Sequence, residues 1–134
     1  MRPRAHHALL AATLLVAIAA CDQDPFLLSE RRVAGEYRLK QWEDFQTYYL
    51  VGGPQPDSGG GAINGTVLRL ASDKSRILVQ RRATVGGDTA WVVVDVERRT
   101  VGGPLTAADV DARPELAQLR RAAIPTDSAW RMLK

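Results

Sequence analysis

A run of six residues constrains the fold of this 134-residue chain more than any other segment. Residues 91–96 read Trp-Val-Val-Val-Asp-Val, so the run is almost continuously apolar and rich in β-branched side chains. Successive side chains of a strand point to opposite faces of a sheet. An apolar run of this kind therefore favours a central strand that is covered on both faces.

The rest of the chain predicts an α+β fold, with about five antiparallel strands followed by short C-terminal helices. Thr106 precedes Asp109 by three residues, which is the spacing of a capping box, and Pro114 suits the first position of a second helix. Besides the run at 91–96, four segments have the composition or alternation of strands: 35–40, 46–51, 63–70 and 76–80.

The N-terminal segment has the composition of a secretory signal. Arg2 and Arg4 precede an apolar run over residues 8–20, and the run ends in the sequence Ile-Ala-Ala-Cys at 18–21. A run of this length is too short to cross a bilayer core, which requires roughly 20 apolar residues.

This segment resembles the signal peptides of bacterial lipoproteins, in which an aliphatic and two small residues precede the cysteine that receives lipid. The resemblance implies a signal helix that is removed after residue 20 and a diacylglycerol on the Cys21 sulfur. The membrane would then be a partner through the anchor, and the protein would lie on the periplasmic side of the envelope. Either membrane fits the sequence. The alternatives are an ordinary secreted protein cut after Ala20 and an uncleaved anchor helix.

Three parts follow from this interpretation: a signal peptide at 1–20, a lipidated cysteine and tether at 21–32, and a small domain at 33–134. Without Arg2 and Arg4, 16 of the 18 basic residues remain, and with all 15 acidic residues they give a net charge of +1. This balance gives no electrostatic case for nucleic acid as a partner.

The mature chain lacks the side chains on which several kinds of catalysis depend. His6 and His7 are the only histidines, both lie in the signal segment, and Cys21 is the only cysteine. Ser-His-Asp and Cys-His catalysis within the mature chain are therefore excluded, as are the usual zinc and copper sites. We expect no metal, no cofactor and no enzymatic activity.

Five aromatic residues lie within 13 positions: Tyr37, Trp42, Phe45, Tyr48 and Tyr49. They suit core packing, which a small domain without disulfides requires, or a stacking surface for sugars. Because Tyr48 and Tyr49 are adjacent, they point to opposite faces of a strand, and only one of them can belong to a given surface. Trp42, Tyr48 and Tyr49 are the candidate binding residues in this cluster.

Asp95 is the most unusual carboxylate, because it interrupts the apolar run at 91–96. A buried aspartate is costly unless it is hydrogen-bonded or paired, so Asp95 is either a structural acceptor for turn amides or a functional acid. Glu97, two residues later, would share its face of a strand, and glycosidases use two carboxylates. Asp95 is therefore the fourth candidate binding residue.

Arginine doublets occur at 31–32, 81–82, 98–99 and 120–121. We expect them to be solvated at strand ends and on a helix face rather than to form an anion site. Short motifs between residues 35 and 119 also resemble small bacterial β-rich proteins of unknown function. That resemblance implies a fold class and no activity.

The favoured hypothesis is a lipid-anchored, non-enzymatic module that binds an envelope protein or glycan. A carboxylate-dependent cell-wall glycan hydrolase is one alternative. A periplasmic inhibitor of a foreign enzyme is another, and its contacts would come from the glycine-rich loop at 52–61.

Overall fold

A computed structural model describes residues 30–54 and 62–134, and within them lie eight strands and three helices. The strands are β1 (Glu30–Ala34), β2 (Tyr37–Gln41), β3 (Tyr48–Val51), β4 (Thr66–Ser72), β5 (Arg76–Arg82), β6 (Thr89–Asp95), β7 (Thr100–Leu105) and β8 (Ile124–Pro125). The helices are α1 (Ala107–Asp111), α2 (Pro114–Ala122) and α3 (Thr126–Met132).

The first three strands form an antiparallel sheet in the order β1-β2-β3. Lys40 on the central strand lies opposite Glu30 on one side and Tyr49 on the other. β1 therefore begins beside the end of β2. Alternate side chains of β2 and β3 are buried and define the inner face of the sheet: Tyr37, Leu39, Tyr48 and Leu50.

The remaining strands form a second antiparallel sheet in the order β7-β6-β5-β4-β8. β6 lies between β5 and β7. Val92 and Val94 belong to the core on one side of this sheet, and Trp91 belongs to the core on the other. The prediction that residues 91–96 form a central strand covered on both faces is confirmed, although the strand itself ends at Asp95.

The molecule has three layers, because each face of the five-stranded sheet is covered. The inner face of the three-stranded sheet packs on one side and shares a core with Ile77, Val79 and Val94. Helices α1 and α2 pack on the other side, where Val110, Leu116 and other apolar residues surround Trp91. Burying apolar surface on both sides lets a small domain reach a sizeable core without disulfides.

The two predicted helices form where the sequence signals place them. Thr106 caps α1, and its hydroxyl accepts a hydrogen bond from the Asp109 amide at 3.1 Å while the Asp109 carboxylate accepts one from the Thr106 amide at 2.8 Å. Pro114 occupies the first turn of α2, and Leu116 and Leu119 are its buried residues. The capping box and the helix-starting proline thus produce the helices that cover the sheet.

The C-terminal helix α3 is joined to the first strand. The Arg31 guanidinium lies 4.5 Å from the centre of the Trp130 ring and donates to the Trp130 carbonyl and, at 3.3 Å, to the Leu133 carbonyl. The backbone amide of Arg32 donates to the Lys134 carbonyl at 3.2 Å. The two ends of the described chain are therefore held together.

The structure confirms the α+β fold, with antiparallel strands and short C-terminal helices. The five predicted strands are divided between the two sheets: β2 and β3 pair with β1, whereas β4, β5 and β6 lie with β7 and β8. β1, β7 and β8 were not predicted from the sequence. The boundary expected at residue 33 falls inside β1, since Glu30, Arg31 and Arg32 are sheet residues. The signal segment, Cys21 and loop residues 55–61 lie outside the described residues.

Candidate functional site

The connection between β2 and β3, residues 42–47, is built on one aspartate; we call it the aromatic loop. The Asp44 carboxylate accepts hydrogen bonds from the Gln46 amide at 2.9 Å, from the Thr47 amide at 2.8 Å and from the Thr47 hydroxyl. The Thr47 hydroxyl, followed by these amides, lowers the pKa of Asp44 below its usual value. The carboxylate is therefore a structural acceptor that fixes the turn.

The aromatic loop holds two large apolar side chains in solvent. Trp42 is 50% exposed and Phe45 is 74% exposed. Phe45 also has a left-handed backbone, with φ of 59°, which is uncommon for a residue other than glycine. Its amide donates to the Trp42 carbonyl at 3.0 Å, and the Gln41 side chain donates to its carbonyl at 3.2 Å. The hydrogen-bonded loop thus holds Phe45 in a left-handed conformation with its ring in solvent.

The structure divides the predicted aromatic candidates between two surfaces. Trp42 and Tyr49 meet edge to face, with ring centroids 6.0 Å apart and planes at 77°. Tyr48 points inward, is 5% exposed and packs on Trp130 with centroids 5.6 Å apart. Tyr48 is thus a core residue, whereas Trp42 and Tyr49 lie together at the surface. Tyr48 and Tyr49 are adjacent on β3 and so point to opposite faces of the strand.

The solvent-facing side of the three-stranded sheet, which we call the outer face, is rich in cations. Alternation along the strands places Arg32, Arg38 and Lys40 there, together with Glu30 and Tyr49. Arg38 pairs with Glu30 at 3.8 Å. Arg32 and Lys40 form no ion pair with another residue of the described chain.

A shallow depression of mixed character lies between the aromatic loop and α3. Its aromatic residues are Phe45, Tyr48 and Trp130, and its polar and charged residues are Gln41, Gln46, Asp127 and Arg131. Met132 follows in the last turn of α3 and is 74% exposed. Three large exposed apolar side chains thus belong to the aromatic loop and the last turn of the neighbouring helix: Trp42, Phe45 and Met132.

Asp95 lies away from these residues, at the end of β6. One carboxylate oxygen accepts a hydrogen bond from the Arg98 amide at 2.8 Å, so Asp95 fixes the turn between β6 and β7. Glu97 does not follow on the same strand face, because the strand ends at Asp95 and Glu97 is exposed in the turn. Asp95 instead lines a depression under α2 with Glu115 and two arginines, Arg76 and Arg113.

Phe45, Lys40 and Arg38 were not among the candidate site residues predicted from the sequence. Because residues 37–40 alternate strictly, Arg38 and Lys40 point to the strand face opposite that of Tyr37 and Leu39. Their position on one face could therefore be predicted from the sequence. The exposure of Phe45 could not, because it depends on the turn that Asp44 closes.

The described residues contain no group of three or more His, Cys, Asp or Glu side chains placed to hold a metal ion. Among the helices in this part of the chain, none is long and apolar enough to cross a membrane. Comparison of the chain with protein-family models, curated proteins and solved structures finds no match.

Proposed function

We propose that this protein is a lipid-anchored, non-enzymatic interaction module of the bacterial envelope, with its domain on the periplasmic side. The lipobox-like sequence at 18–21 supports attachment at Cys21. The observation that carries the binding role is the exposure of Trp42 and Phe45 on a hydrogen-bonded loop beside the start of β1.

A preformed aromatic surface suits binding for two physical reasons. Aromatic side chains contribute large contact areas at a low cost in side-chain entropy, and they dominate the energetics of many interfaces. The hydrogen bonds to Asp44 hold the loop before any partner arrives, which lowers the cost of ordering it on binding.

No specific observation supports the two alternative functions, a glycan hydrolase and an enzyme inhibitor. A hydrolase that uses Asp95 would need a second carboxylate placed across a bound glycan, and Glu97 lies in the turn instead. The inhibitor hypothesis depends on loop 52–61, of which residues 55–61 lie outside the described part of the chain.

Attachment is tested by replacing the cysteine, Cys21→Ser, in a bacterial host that processes lipoproteins. Cells are fed an alkyne-tagged fatty acid, and the protein is purified and assayed for the tag. We expect the wild-type chain to be labelled and to sediment with membranes, and the variant to remain an unlabelled precursor. Equal labelling of the two proteins would refute the anchor.

A further inference from the structure

We infer that the envelope component bound by the aromatic loop is the anionic surface of the bilayer that holds the Cys21 lipid. This inference rests on the proposed lipid anchor and assigns a partner to the same surface. The occupant is a phospholipid surface rather than a soluble glycan or a protein.

The course of the chain places the aromatic loop at the end of the domain where the tether enters. Eight residues separate Cys21 from Glu30, and they span at most about 30 Å. Glu30 lies opposite Lys40, two residues before Trp42. The tether therefore joins the sheet beside the loop, so an anchored domain holds Trp42 and Phe45 within reach of the membrane.

The side chains at this end have the chemistry of a membrane interface. Tryptophan is enriched where water meets lipid, and contact with acyl chains would bury an exposed apolar side chain such as Phe45. Arg32 and Lys40 add positive charge on the outer face, which anionic headgroups attract.

Acidic groups in the same region reduce this attraction and have to be counted. Glu30 is paired with Arg38 at 3.8 Å, and the oxygens of Asp44 accept hydrogen bonds within the loop. Glu43 is exposed in the loop. The hydrogen bonds of Asp44 come from neutral donors and leave its charge in place, so three basic side chains (Arg32, Arg38 and Lys40) balance three acidic ones (Glu30, Glu43 and Asp44). The attraction of anionic headgroups is therefore confined to Arg32 and Lys40, which form no ion pair within the described part of the chain.

Ring geometry argues against a two-ring platform for a sugar at Trp42 and Tyr49. A sugar ring stacks on an open aromatic face, and a two-ring platform requires faces that are roughly coplanar. The Trp42 and Tyr49 planes are instead at 77°, so the edge of one ring abuts the other. An indole and a phenyl group that project from a loop are better suited to insertion between headgroups.

The test uses tryptophan fluorescence of the lipidated protein in vesicles of phosphatidylethanolamine and phosphatidylglycerol. Trp91 and Trp130 are 6% and 8% exposed, so Trp42 is the tryptophan that lipid reaches. Brominated acyl chains quench an inserted indole. We expect them to reduce the Trp42 contribution, obtained by subtracting the spectrum of Trp42→Phe, by about half, and to leave the remaining emission unchanged.

An unquenched Trp42 in protein that sediments with the vesicles would overturn the inference and leave the anchor standing. A chain that carries no lipid would instead contradict the proposed function itself. Protection of Trp42 from bromine by soluble peptidoglycan fragments would assign the loop to a glycan and would also overturn the inference.

A charge-reversal pair tests the contribution of the cations. Lys40→Glu alters the outer face, whereas the control Lys74→Glu alters an exposed turn at the opposite end of β1. That turn is placed there by Val96, which lies against Gly35 after β1 and donates its amide to the Ser75 carbonyl. We expect Lys40→Glu to lower Trp42 quenching about twofold and Lys74→Glu to leave it unchanged. Equal effects of the two variants would show that the outer face does not meet the bilayer.

Discussion

Arg31 and Arg32 are neighbours in the chain, yet they lie on opposite faces of β1. Arg31 reaches the Trp130 ring and two C-terminal carbonyls, whereas the Arg32 side chain is exposed on the outer face. From the sequence both were expected to be solvated, because nothing local distinguishes two adjacent arginines. Their difference depends on the register of β1 against β2 and on a helix 99 residues away in sequence.

We expect Arg31→Ala to destabilise the domain by about 2 kcal/mol, since it removes a cation–π contact and charge-assisted hydrogen bonds to backbone carbonyls. Arg31→Lys should retain part of that stability, because lysine keeps the charge without the planar fork. Urea denaturation followed by circular dichroism measures the free energy of unfolding.

The matched control is Arg32→Ala, which leaves the backbone bond to Lys134 intact and should change stability by less than about 0.5 kcal/mol. If the two alanine variants lose equal stability, Arg31 does not join β1 to α3 in the way described.

At the scale of elements, the aromatic loop shows how one exposed carboxylate, that of Asp44, determines the exposure of its neighbours. Asp44 is a polar residue in a connection, and its spacing to Thr47 suits a side-chain-closed turn. The hydrogen bonds of that turn hold Phe45 in its left-handed conformation, with its ring in solvent. We therefore assign Asp44 a positioning role at this surface.

We expect Asp44→Ala to release the loop without unfolding the domain. Amide exchange at Gln46 and Thr47 should accelerate about tenfold, because both amides lose their acceptor. Hydrogen exchange measured by NMR reports both positions. Glu43→Ala, at the adjacent exposed acid, is the control and should leave the two amides unchanged; faster exchange in that variant would contradict the role of Asp44.

The same loop has a defined pH dependence. Because hydrogen bonds lower the pKa of Asp44 in the folded protein, its stabilising contribution is complete above the usual aspartate pKa of 3.8. The contribution is lost as the pH falls through the lower folded value. An NMR titration should place the Asp44 carboxyl below 3.8, and Thr47→Val should raise its pKa toward that value. Titration of the wild-type carboxyl at or above 3.8 would exclude these hydrogen bonds.

The strands differ in how far sequence predicts them, for identifiable reasons. The apolar run at 91–96 favours a strand covered on both faces, because its β-branched side chains would be buried whichever face they point to. β1 reads Glu-Arg-Arg-Val-Ala. Because arginine occupies both an outward and an inward position, the segment lacks the alternation of apolar and polar residues that predicts a strand. β7 contains Gly102, Gly103 and Pro104, which are typical of turns, and its register shift opposite Trp91–Val93 shows a bulge at an exposed edge.

At the scale of the whole molecule, the two ends of the β1–β2 pair lie beside different parts of the domain. One end carries the aromatic loop and the start of β1, which leads back to Cys21. The other end carries the β1–β2 turn beside Val96, and the turn at 73–75. The sequence predicted the anchor and the aromatic cluster separately. Their placement at one end follows from the antiparallel pairing of β1 with β2, which no local pattern encodes.

The most direct test of this arrangement is photo-crosslinking in intact bacterial cells that process lipoproteins. A photoreactive phenylalanine analogue is placed at Phe45, and in a second protein at Lys74, which lies in the turn at the far end. The adducts are identified by intact mass. The arrangement predicts phospholipid adducts from position 45 and none from position 74. Adducts of peptidoglycan or protein alone from position 45, or equal phospholipid adducts from both positions, would contradict it.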